Sequence, residues 1–178
     1  ISDIGVFSSM MSGDQQSYKS HLFSNTKYTF DENFFNESFL ELNIETVSND
    51  TYLKKFQPES ILINNANLMN NFIKMNGYSE DSSLSIEFEV FENLTKPNSD
   101  RYEFVYPNVN FSKNFINKNI PGSFDLSSNF YQNQFDTNKY TKSLSTDLMY
   151  NADTKFNKFG LVKDFQLLLK NPNKINKT

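Results

Sequence analysis

Apolar residues recur at every second position along most of this chain. In Leu84-Ser85-Ile86-Glu87-Phe88-Glu89-Val90 they alternate with Ser and Glu without a miss, and Leu40, Leu42 and Ile44 alternate with Glu41, Asn43 and Glu45. Phe124 and Leu126 keep the rhythm, as do Tyr140, Leu144, Leu148 and Tyr150, and then Phe159, Leu161, Phe165, Leu167 and Leu169. A period of two places alternate side chains on opposite faces of a strand. No window of comparable length keeps a period of 3.6. The pattern predicts an all-β chain of roughly nine or ten strands. Turn chemistry between the runs, at Ser12-Gly13-Asp14, Asn76-Gly77, Phe91 to Asp100, Asn117 to Gly122 and Asn133 to Asn138, predicts an antiparallel meander. No repeat or linker divides the chain, so residues 1–178 are expected to be one segment.

Alternation alone leaves the sense of the two faces open. In a soluble β-sandwich or lipocalin-like binding module the apolar face packs inward and the Glu face meets water. In an outer-membrane barrel the apolar face meets lipid and the polar face lines a wet lumen. A complete small barrel is a further alternative, and it requires the strand near Ile4–Met11 to pair with the one near Leu161–Lys170. Three features favour the membrane, the first being that the non-apolar faces stay uniformly polar, with little sign of a second hydrophobic layer. Several runs approach the 9–11 residues or so that a tilted strand needs to cross a bilayer. Aromatics at Phe91, Tyr102, Tyr106, Phe130, Tyr131, Tyr150 and Phe156 are expected near strand ends, where interfacial girdles lie.

Composition narrows the chemistry. Among 178 residues, 17 basic against 21 acidic give a net charge of −4, without the basic face that nucleic acid requires. Cys and Trp are absent, so thiolate chemistry is excluded. His21 is the only histidine and is expected at the surface or in an interfacial girdle. The five glycines are isolated and form no phosphate loop, and no G-x-S-x-G, H-E-x-x-H or calcium-loop spacing occurs. Glu87 and Glu89 share a strand face, where a carboxylate pair is normally solvated rather than catalytic. Neither an enzyme nor a cofactor is expected. No run approaches the roughly 18 consecutive apolar residues of a membrane helix, and Ile1–Met11 lacks the basic start and cleavage pattern of a signal peptide. The chain carries 26 Asn and 21 Ser, a bias that accounts for its N-x-S/T sequons without invoking glycosylation.

One stretch breaks the strand rhythm. After Leu40–Thr46 come Ser48, Asn49, Asp50 and Thr51, which are turn or cap formers, and then Tyr52, Leu53 and Phe56 at helical spacing. It reads as a compact loop packed by those three side chains. Leu40 to Phe56 resembles the strand followed by S-D-x-x-[YF]-[LF]-x-x-[FY] of the lipopolysaccharide (LPS)-assembly outer-membrane protein family, LptD. Ser20-His21-Leu22-Phe23 and Phe30 to Phe34 look like the hairpin preceding that motif. Tyr102 to Phe111 is similar to the family's aromatic-proline segment ahead of a strand. The likeness spans about Ser17 to Tyr150, and Asn49 stands where the family usually has Asp.

The resemblance implies a fragment of a large barrel in the bacterial outer membrane that delivers LPS to the outer leaflet. It further implies a plug lipoprotein (LptE) inside the barrel, periplasmic LPS-bridge proteins and membrane lipid as partners, and a periplasmic jellyroll and C-terminal strands outside this window. No gate residue carries over. On that footing Glu41, Glu45, Glu87 and Glu89 are expected to face the lumen, and Leu40, Leu42, Leu84, Ile86, Phe88 and Val90 to face lipid.

Overall fold

A computed structural model describes residues 1–10, 16–31 and 35–177, with side chains placed for all of these except 7–10, 16 and 17. The chain is all-β. Nine strands form one antiparallel meander in the order β1 (Ser2–Met10), β2 (Gln16–Phe30), β3 (Glu37–Val47), β4 (Leu68–Tyr78), β5 (Ser82–Asn93), β6 (Tyr102–Phe115), β7 (Ser123–Phe135), β8 (Lys139–Asn151) and β11 (Gln166–Lys177). The short β9 (Lys155–Phe156) and β10 (Val162–Lys163) pair apart from that sheet. The helix α1 (Tyr52–Phe56) lies between β3 and β4, and a 3-10 turn (Asn98–Arg101) leads into β6. β1 and β11 are the two edges of the sheet; each pairs on one side only, and not with the other.

Several expectations are corrected. Asn76-Gly77 is no turn: both residues belong to β4, and the reversal comes at Ser79–Asp81. Gly77 is required there because the Phe35 ring lies over it, and a Cβ would come within 2.5 Å of that ring. Phe159 and Leu161 do not continue the strand of Leu167 and Leu169, because the hairpin of β9 and β10 reverses at Gly160, whose φ is +76°. Tyr106, Phe130 and Tyr131 lie inside strands rather than at their ends. Ser12-Gly13-Asp14 lies outside the described residues.

β6 carries one extra residue. Val105 pairs with Glu89 and Asn133, and Asn108 with Glu87 and Tyr131, so Tyr106 and Pro107 together stand opposite Phe88 on one side and Gln132 on the other. Proline has no N–H to give the ladder, which suits it to a bulge. The bulge shifts the side-chain parity of β6. Before it Glu103 and Val105 share a face, and beyond it the same face belongs to Asn108 and Asn110.

The buried core is small and lies at one end of the sheet. Phe23, Tyr52, Leu53, Met69 and Leu94 form it, with Val47, Phe56, Leu62 and Ile63 packed around them. It is made by the α1 loop folding onto strand ends.

Candidate functional surface

Residues in register across antiparallel strands share a face. Leu40 pairs with Met75 and Met75 with Ile86, while Leu42 pairs with Ile73 and Ile73 with Phe88. Ile86 then meets Val109, Val109 meets Phe130, and Phe130 meets Leu144. This apolar face crosses from β3 to β11, where Leu148 pairs with Leu169. Nothing among the described residues covers it: Leu42, Ile73, Phe88 and Leu144 each keep two-fifths or more of their surface open. All six apolar residues singled out from the sequence (Leu40, Leu42, Leu84, Ile86, Phe88 and Val90) lie on it.

Aromatic residues mark both ends of this face. At one end Phe115 stacks on Phe124 with ring centres 5.2 Å apart, and Phe124 meets Tyr150 at 4.9 Å. At the other end Tyr102 and Phe104 stack with ring centres 6.1 Å apart, with Tyr140 beyond them. The charges that the described side chains place on this face are Glu92, Lys113, Lys142 and Lys177. Each stands within four residues of one end of its strand. Lys113 and Lys142 stand one pair inside the aromatic ends, and the two central paired rows, from Leu40 to Leu144 and from Gly77 to Thr146, carry no charge.

The opposite face is polar and internally bonded. Glu41 pairs in register with Lys74 and Lys74 with Glu87, and Glu45 and Glu89 lie on the same side. Lys74 Nζ is 3.6 Å from Glu87 Oε1. Carboxamides bridge the strands: Asn108 donates to Glu87 at 3.3 Å, Asn129 to Asn110 at 2.7 Å, Asn133 to Glu103 at 2.7 Å and Asn151 to Asp125 at 2.8 Å. The abundant Asn thus has structural work on one face, since a carboxamide can donate and accept at once.

Between β3 and β4 the sheet forks. Backbone pairing ends at Asn43 and Phe72, and side chains take over beyond it. Asn71 accepts from the Glu45 N–H at 2.8 Å and donates back to the Glu45 carbonyl at 3.1 Å, standing in for a strand. Glu45 accepts from the Asn70 N–H at 2.7 Å, and Asn43 donates to the Asn70 carbonyl at 2.7 Å. Asn71→Leu leaves the Glu45 backbone groups without partners. It is expected to cost about 1–3 kcal/mol and to speed amide exchange at Ile44–Val47 ahead of Glu37–Asn43.

The loop that resembles the family motif sits at the open end of the fork. Ser48 extends the pairing of β3 with β2: its N–H bonds the Ser20 carbonyl, and its hydroxyl accepts from the Ser20 N–H at 2.9 Å. Asn49 Oδ1 accepts from both the N–H and the hydroxyl of Thr51, each at 3.0 Å, which is the turn geometry that Asp would also supply. Gln57, in the left-handed conformation at φ 43°, ends α1. Tyr52 has no exposed surface and Leu53 is 5% exposed, while the Phe56 ring lies 5.1 Å from that of Tyr52, tilted by 40°.

His21 is buried, 5% exposed, which overturns its expected place at the surface or in a girdle. Its ring stacks on Phe23 at 4.5 Å, its Nδ1 shares a 2.7 Å hydrogen bond with the Tyr52 hydroxyl, and its Nε2 is 3.3 Å from Asp3 Oδ1. Gly5 makes room for it, since a Cβ there would come within 2.4 Å of the imidazole. Asp3, His21 and Tyr52 thus stand in series, with the Tyr52 side chain buried in the core. Among the described residues no group of three His, Asp or Glu gathers as metal ligands.

Arg101, the only arginine, ties the loop to the strands. Its Nη2 donates to Asp50 at 2.7 Å and its Nε to Glu92 at 2.7 Å. The Arg101 hydrogen bond holds the Asp50 carboxyl below its ordinary value of 3.8. A lowered folded value means that the clamp is complete above that ordinary pKa and is lost as pH falls through the lower folded one. Acidification through this range is expected to speed amide exchange at Asn49–Leu53 in the native chain. Asp50→Asn should remove the pH step without altering the neutral fold.

No family model matches the chain, and neither a curated protein nor a solved structure matches it.

Proposed function

We propose that this chain is a wall segment of an outer-membrane β-barrel, and specifically of the LPS translocon that its loop motif resembles. The observation that carries the reading is the uncovered apolar face, whose central paired rows carry no charge and whose ends carry aromatics. Lipid selects for that arrangement, because a charge at the bilayer midplane costs roughly 2–4 kcal/mol while aromatics are favoured at the interfaces. The internally bonded Asn and Glu face suits a hydrated lumen, and strands of 11 to 15 residues across β2 to β8 are long enough to span. A bilayer demands that backbone groups be satisfied within the protein, so β1 and β11 would each continue into further strands of a closed wall. The proposed cargo is lipopolysaccharide. Its carriage needs no nucleophile, and the partners would be the plug lipoprotein, the periplasmic LPS-bridge proteins and membrane lipid. The support for LPS is the order of the motif pieces from Ser17 to Tyr150. The support for a barrel wall is the two-faced sheet.

Intact mass of the native polypeptide carrying Ser48–Phe56, taken from fractionated cell envelopes, tests both levels. The expected product is several times larger than 20.8 kDa and lies in the outer-membrane fraction. A soluble product near that mass would overturn the reading.

A further inference from the structure

A cavity of about 420 Å³ lies on the polar face, roofed by residues 61–65 and floored by strand residues. That volume falls within the range of small-ligand sites. Its chemistry is specific. Asn25, Asn43 and Asn70 present carboxamides, and Phe72 and Phe91 present rings. No Lys or Arg lines it, so nothing there neutralises a phosphate or carboxylate. The one carboxylate, Glu45, already accepts from the Asn70 N–H at 2.7 Å and from Asn43 at 3.1 Å, so it is poorly placed to bind a cation. Asn64 and Asn65 add further carboxamides from the 61–65 segment. Amides beside aromatic rings, with no free charge, suit a ligand rich in hydroxyls and C–H faces.

We propose that this cavity binds a neutral saccharide unit, with hydroxyls bonded to the carboxamides of Asn25 and Asn64 and a sugar face against Phe72 or Phe91. The proposal rests on the wall reading, since a translocon's polar face is where a glycan would pass. It goes further by placing a resting point for uncharged sugar under the 61–65 loop, apart from any site for phosphate.

The test uses the full-length polypeptide, assembled in its membrane and purified in detergent, with a dephosphorylated core oligosaccharide as probe and saturation-transfer NMR as readout. Saturation should reach the sugar protons, and excess inorganic phosphate should not compete. Phe72→Ala is expected to weaken binding about tenfold, in the range that truncating a contact aromatic produces. Ile61→Trp, at a residue that is 84% exposed and lines the cavity, should block it without touching the buried core. Assembly is scored separately by heat-modifiable migration. No transfer to sugar in a normally assembled chain would overturn the cavity and leave the wall reading standing. Competition by phosphate, or full binding by Ile61→Trp, would overturn it equally.

Discussion

Ile86→Lys is expected to abolish assembly of the chain into a membrane, while Ser85→Lys, one position away, leaves assembly intact. Ile86 sits between Met75 and Val109 on the uncovered apolar face, five residues into the twelve of β5. A lysine there would stand in a charge-free central row, where lipid imposes roughly 2–4 kcal/mol with no partner to offset it. Ser85 points the other way, between Asn76 and Asn110, where carboxamides and water can receive an ammonium. Ser85 is a cleaner control than Glu87, because Lys74 lies 3.6 Å from Glu87 and a second lysine would meet it directly. Heat-modifiable migration after refolding into vesicles reads both variants. Equal tolerance at the two positions would remove the orientation of the faces. The reverse result would turn the apolar face inward, as in a soluble sandwich.

The same alternation explains what the sequence made legible. A period of two determines which residues share a face, so Glu41, Glu45, Glu87 and Glu89 fall together, as do Leu40, Leu42, Leu84, Ile86, Phe88 and Val90. Nine strands in one meander also follow from it, since each run and break is local. What escaped are features made by contacts distant in sequence. Gly77 looked like a turn because Asn-Gly usually is one, yet its role comes from the ring of Phe35, which occupies the space a Cβ would need. His21 looked like a surface residue, and its burial depends on Tyr52, 31 residues later, supplying a hydrogen bond. The fork between β3 and β4 was invisible because Asn71 acts there as a piece of backbone, a role that composition does not reveal. One signal was available for the bulge: alternation in Tyr102–Phe115 slips by one residue across Tyr106-Pro107.

Tyr52→Ala is expected to produce the largest loss of stability of any single change in the loop, about 3–5 kcal/mol. The ring is fully buried among Phe23, Leu53, Met69 and Leu94, and it joins strands that otherwise part at the fork. Truncation opens a cavity where the local structure has little freedom to collapse, because Arg101 and Asn49 hold the loop in place. Tyr52→Phe separates the two contributions. It keeps the packing but deprives His21 Nδ1 of its 2.7 Å partner inside the core, which should cost about 1–3 kcal/mol. Denaturant titration of the assembled protein, followed by near-ultraviolet tyrosine dichroism and by amide exchange at Val47 and Met69, reads both variants. If the loop is a wedge that holds β3 and β4 in place, Tyr52→Ala should loosen those strand ends while β7 and β8, far across the sheet, keep their protection. A uniform loss along the whole sheet would instead make the Tyr52 cluster the nucleus on which the meander depends. A loss smaller than that of Tyr52→Phe would show that the loop packs on the strands without supporting them.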